Sequence, residues 1–68
     1  MDWEERLEQC ERILEMCAEI GGKGRDFAES VSEKVESIAG SIERNQNSTE
    51  KQDDALDSWE AACQKWLK

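Results

Sequence analysis

The chain has 68 residues, 17 acidic and 9 basic, with a net charge of −8, no histidine and no proline. That length gives one domain, small enough that its core needs careful helix packing or a partner to complete it. The negative field excludes nucleic-acid binding through a basic face and disfavours an anionic membrane surface.

The absence of histidine removes the usual general base, the Ser-His and Cys-His nucleophile pairs and the histidine-containing zinc sites. Helix formers dominate and β-branched residues are scattered singly, so strand signals are nearly nil and the fold class is all-α. No apolar run approaches the roughly 20 residues of a membrane span, and the opening MDWEER lacks signal-peptide character. The expected location is therefore cytoplasmic, in a bacterial or an infected-host cytosol, with no membrane partner.

The first segment, DWEERLEQCERILEMCAEI, spaces Trp3, Leu7, Cys10, Leu14 and Cys17 as a heptad stripe. Ile13, Met16 and Ile20 widen that stripe, which predicts a helix over residues 2–20 with neighbours on two sides. Glu4, Glu8, Glu11, Glu15 and Glu19 form a separate stripe at near-i,i+4 spacing, whose like charges repel mildly. It is read either as a solvated outer face or as an acidic docking strip.

The run GGKG at 21–24 predicts a tight turn, because glycine accepts the left-handed conformation that closes helices and propagates a helix poorly. It has neither the spacing of a phosphate-binding loop nor a preceding strand. A second helix over 26–44 follows, with Phe27, Val31, Val35, Ile38 and Ile42 on one stripe and Ala28 and Ala39 beside it. Gly40 lies next to the stripe as a weak point or a close-approach site.

The stretch RNQNSTEKQ, residues 44–52, decides between two architectures. The heptad phase runs on through Asn45, Thr49 and Gln52 to Leu56, Trp59, Cys63 and Trp66, so one helix over 26–67 would form a hairpin that assembles as a coiled coil. Against it, the positions over the join are polar, and Asn45, Asn47 and Ser48 compete for the backbone. TEKQ also reads as a capping box, with Thr49 as N-cap and Gln52 reaching back. The favoured expectation is a break before Thr49 and an up-down-up three-helix bundle with helices at 2–20, 26–44 and 49–67.

The third segment is amphipathic, with Ala55, Leu56, Trp59, Ala62, Cys63, Trp66 and Leu67 on one side. Trp59 and Trp66 lie two turns apart and serve either as core packing or as anchors for a partner. Cys10 and Cys17 sit about 10 Å apart along one helix, too far for a disulfide. Aligning helices 1 and 3 at their starts places Cys17 level with Cys63, so a bridge there is geometrically open. In a reducing cytosol the preferred reading is three free thiols acting as small apolar core residues.

From Phe27 onward, the pattern FAES…STEKQDDALDSWEAACQKW resembles a short helical module of phage and bacterial mobile-element proteins, carried by Phe27, Ser30, Thr49, Lys51, Gln52, Leu56 and Trp66. The leucine that pattern expects before Thr49 is here Ser48. The resemblance implies an association with phage, plasmid or nucleic-acid machinery, and it carries over no catalytic residue.

These features lead to the expectation of a non-enzymatic protein-binding module with no cofactor or metal. It docks on a larger protein as an inhibitor or small subunit. One version is a phage anti-defence protein seated on a basic surface that otherwise holds nucleic acid. The candidate partner-binding residues are Glu4, Glu8, Glu11, Glu15, Glu19, Trp59 and Trp66. A rival expectation is a structural element whose partner is a second copy of itself, in a homo-oligomer. A third, a nucleotide sponge at an oligomer interface, has only Arg6, Arg12, Lys23 and Arg25 as candidate ligands.

Overall fold

The structure, a computed structural model, describes residues 2–67. Three helices make the fold: α1 (Trp3–Glu19), α2 (Arg25–Asn45) and α3 (Glu50–Trp66). They pack side by side into a body of 35 × 17 × 17 Å, the proportions of three short rods. Helices α1 and α3 run parallel, as shown by the rising order of their facing pairs Arg6 with Asp57, Arg12 with Glu60 and Cys17 with Cys63. This is the up-down-up bundle, and α1 is its central rod: it packs against both other helices, which touch one another far less.

The first reversal is built on glycine. Ile20 leaves the helix in an extended conformation, its N–H still held by the carbonyls of Met16 and Cys17. Gly22 then takes φ +59, where a residue with a Cβ is strained. A single 3₁₀ turn over Gly22–Gly24 leads straight into α2. Gly24 is the close-approach glycine of the fold: a Cβ there would sit 2.6 Å from Ile20 Cγ2 and 2.9 Å from Trp66 Cε3. Gly40, the close-approach candidate in the sequence, has nothing within 4 Å of the corresponding position.

The second reversal answers the question posed by RNQNSTEKQ. Gln46 adopts the left-handed conformation at φ 52, ψ 39 and closes α2, with Asn47 N–H donating to the Ile42 carbonyl at 3.3 Å. Three residues later the capping box is complete. Thr49 Oγ1 accepts from the Gln52 N–H at 3.1 Å, and Gln52 Oε1 accepts from the Thr49 N–H at 3.0 Å. The helical hydrogen-bond ladder is thus interrupted, and the long helix over 26–67 does not form.

The core comprises Cys10, Ile13, Cys17 and Ile20 from the first segment, Ala28, Val31, Val35 and Ile42 from α2, and Leu56 and Cys63 from α3. Full burial of a side chain such as Ile13, Ile42 or Leu56 stabilises by about 1.5–3 kcal/mol each. On α2 the buried set follows the expected stripe. On α1 it is rotated from the heptad stripe by roughly 70°, at 100° per residue, toward Arg6, Gln9 and Ile13. Trp3, Leu7 and Leu14 are only half-buried as a result. The rotation follows from α1 serving two neighbours, because its buried face bisects the directions to α2 and α3 rather than pointing along one seam.

Candidate functional site

The five glutamates at 4, 8, 11, 15 and 19 are all exposed. Their helical angles fall within about 80° of each other and centre about 160° from Ile13, so they form one outward face on the central rod. The strip covers about 22 Å of helix axis at 1.5 Å per residue. Among the described residues, none of the five lies in an ion pair; the paired carboxylates are Asp53, Asp57, Glu60 and Glu29.

The two tryptophans grouped with that strip are not equivalent. Trp59 is half-buried and packs against the core, so it belongs to the fold. Trp66 is 47 % exposed, and Leu67 beside it is 40 % exposed. The Trp66 ring leans on Phe27 with centroids 6.1 Å apart at 32°, and covers the Cα of Gly24. The apolar side read for α3 therefore stops at Cys63 as far as the core is concerned. The last turn lies past the end of α1's shelter, leaving a small aromatic cap at the glycine end of the bundle.

Between α1 and α3 lies a polar seam that sequence reasoning missed. Arg6 Nη1 donates to Gln9 Oε1 at 2.6 Å and to Asp57 Oδ1 at 2.8 Å. Gln9 Nε2 donates to the same Asp57 oxygen at 2.8 Å and more weakly to Glu60 Oε1 at 3.4 Å. Arg12 Nε donates to Glu60 Oε2 at 3.2 Å. Arg6 Nε lies 3.0 Å from Asp53 Oδ1 but out of line for a hydrogen bond, so that contact is charge attraction alone. The Arg6 side chain is 8 % exposed. Hydrogen bonds from Gln9 and Arg6 hold the Asp57 carboxyl below its ordinary pKa.

The signal for this seam lies in the same helix alignment that levels Cys17 with Cys63. That offset sets Arg6 beside Gln52, one residue from Asp53, and Gln9 beside Ala55, two residues from both Asp53 and Asp57. The seam also occupies two of the four basic side chains named for the sponge reading. Arg6 and Arg12 are engaged by carboxylates of α3, and Arg25 pairs with Glu29 at 3.4 Å on another face, so the basic side chains do not converge.

All three cysteines are free and buried. The Sγ atoms of Cys17 and Cys63 are 3.9 Å apart, confirming the expected level. Burial, followed by the neighbouring Cys17, pushes the Cys63 thiol up to about 11, and burial likewise raises Cys10. No described helix is long and apolar enough to cross a membrane. Comparison with protein-family models, with curated proteins and with solved structures finds no match to this chain.

Proposed function

We propose that the chain is a non-enzymatic binding module that docks the glutamate face of α1 onto a basic protein surface. The observation that carries this reading is the uniform strip of Glu4, Glu8, Glu11, Glu15 and Glu19, exposed and outside every ion pair of the described residues. Like charges at i,i+4 cost helix stability, and a fold that needed only solubility gains nothing from placing them on one line. On a complementary surface the same repulsion is relieved, and the strip steers association. A groove that otherwise holds a nucleic-acid backbone is the partner surface best suited to a row of carboxylates. An inhibitor of a nucleic-acid-binding machine, including a phage anti-defence protein, is the biological version of this reading.

The test uses the tagged chain and its triple variant Glu8→Lys, Glu11→Lys and Glu15→Lys as baits in one lysate, at low and high salt. Partners specific to the acidic face are retained by the natural sequence at low salt, released by salt and absent from the variant. An identical partner set on both baits at both salt concentrations would remove the acidic face from the reading.

A second reading, self-assembly, is favoured by the exposed Trp66 and Leu67 cap. Sedimentation equilibrium separates it: a monomer at every concentration eliminates self-association as the role.

A further inference from the structure

The two thiols at the α1–α3 contact are placed unequally. Cys17 is 7 % exposed and is among the residues lining an open groove of about 650 Å³ between α1 and α2, with Leu14, Ala18, Ala28 and Ser32. Cys63 lies behind it, wholly enclosed, with its Sγ 3.9 Å from that of Cys17. Cys10 is buried on the same helix as Cys17, seven residues earlier and about 10 Å along the axis, out of bonding reach of it. One cysteine therefore lines a surface groove, and a second thiol stands in reach behind it with no third competitor. The docking face described above uses neither.

We propose that Cys17 and Cys63 form a thiol-exchange site for low-molecular-weight disulfides, with Cys17 as the entry thiol and Cys63 as the resolving thiol. With oxidised glutathione, the Cys17 thiolate attacks one sulfur of the reagent. A Cys17–glutathione bond forms, the glutathione S–S bond breaks, and the departing thiolate takes up a proton. Cys63 then gives up its proton and attacks Cys17 Sγ, which releases the second glutathione thiolate to be protonated in turn. In sum, two protein thiols are oxidised to one disulfide, one glutathione disulfide is reduced to two thiols, and the two protons pass to the glutathione. Cys63, wholly enclosed and with burial holding its proton, enters only in the second step, so the order is fixed by access. Closing the sulfur gap to a bond of about 2.05 Å takes a movement of about 2 Å, the scale of a side-chain rotation with a small helix shift.

The product ties α3 to α1. That is the helix with the least independent support, since α2 and α3 touch little. In a chain this short a covalent tie substitutes for core the domain lacks.

The test incubates the full chain in glutathione buffers of stepped potential and reads intact mass and a non-reducing peptide map. The expected results are a loss of two hydrogens, a crosslink joining only the Cys17 and Cys63 peptides, and a melting temperature raised by roughly 10 °C or more. The same crosslink forms in Cys10→Ala, whereas Cys63→Ala stops at a glutathione adduct on Cys17. In urea the unfolded chain pairs its three cysteines without that preference, which shows that the folded geometry selects the pair. The assignment is overturned by a native map that joins Cys10 to either partner, or by a native chain left as three thiols under conditions that oxidise the urea-unfolded chain. The natural sequence alone decides both points, so the outcome stands even where a variant folds poorly.

Discussion

Arg6 Nη1 of α1 lies 2.8 Å from Asp57 Oδ1 of α3 and 2.6 Å from Gln9 Oε1, so one guanidinium nitrogen ties its own helix to the parallel neighbour. Gln9 completes the triangle by donating to the same Asp57 oxygen. This contact fixes the register of α3 on α1. A one-residue slip would carry Asp57 off the fork and strand a guanidinium that is nearly out of water. Hydrophobic contacts through Leu56 and Cys63 favour the approach of the two helices, and the seam selects one alignment.

Arg6→Ala should therefore destabilise the bundle by about 2 kcal/mol. The substitution removes a buried stem and leaves Gln9 and Asp53 without their partner. Denaturant titration followed by far-ultraviolet circular dichroism measures it. A change within a few tenths of a kcal/mol would mean that the seam holds no register.

The seam also sets an acid response. The Asp57 pKa lies below its ordinary value of 3.8, first because of the Gln9 hydrogen bond and then because of Arg6. A lowered folded-state value means that the unfolded chain binds the proton more readily. The contribution to stability is full above the ordinary value and disappears as the pH falls through the lowered one. In Asp57→Asn the melting temperature should fall less steeply with pH below about 4. An acid limb unchanged from the natural sequence would assign the response to other carboxylates.

How far these features were legible from the sequence depends on the range of the interactions that set them. The break before Thr49 was readable because a capping box acts within four residues and Thr49 and Gln52 carry both halves of it. The level of Cys17 with Cys63 followed from aligning the starts of the two parallel helices. The buried Arg6 and Gln9 did not show, because composition assigns such residues to solvent and only the charges of a distant helix reverse that. The rotation of α1 was hidden for a related reason. A heptad stripe reports one partner, and α1 has two. As for the acidic strip, sequence showed its line and the structure shows its exposure.

The second reversal carries a residue poorly suited to it. Gln46 sits at φ 52, ψ 39, a conformation that costs a residue with a Cβ about 1 kcal/mol and glycine almost nothing. Gln46→Gly should raise stability by up to about 1 kcal/mol, less the added freedom of the unfolded chain. Thr49→Ala, which removes half the capping box, should lower it by about 1 kcal/mol. Melts of the two variants beside the natural chain give both signs. A Thr49→Ala variant as stable as the parent would show that the α3 start is held by tertiary contacts alone.

Two glycine-to-alanine substitutions should act in opposite directions. At Gly40 there is open space and ordinary helix, so alanine lowers the entropy of the unfolded chain and improves helix propensity, for a gain of about 0.5–1 kcal/mol. At Gly24, the N-cap of α2, the backbone is also compatible with alanine, and only the gain from a less flexible unfolded chain is offered. There, however, the new methyl meets Ile20 Cγ2 at 2.6 Å and the Trp66 ring at 2.9 Å. Relieving both contacts means moving the indole off the Phe27 ring and toward water, at a cost of typically about 1–3 kcal/mol for an overpacked site. Gly24→Ala should be less stable than the parent and show tryptophan emission shifted to the red, whereas Gly40→Ala should be more stable with emission unchanged. Because Trp66 is already about half exposed, the emission shift is modest, and the sign of the stability change is the sharper readout. If both variants moved in the same direction, Trp66 would not be seated on Gly24, and the aromatic cap at that end of the bundle would be free to serve as an anchor without first leaving the fold.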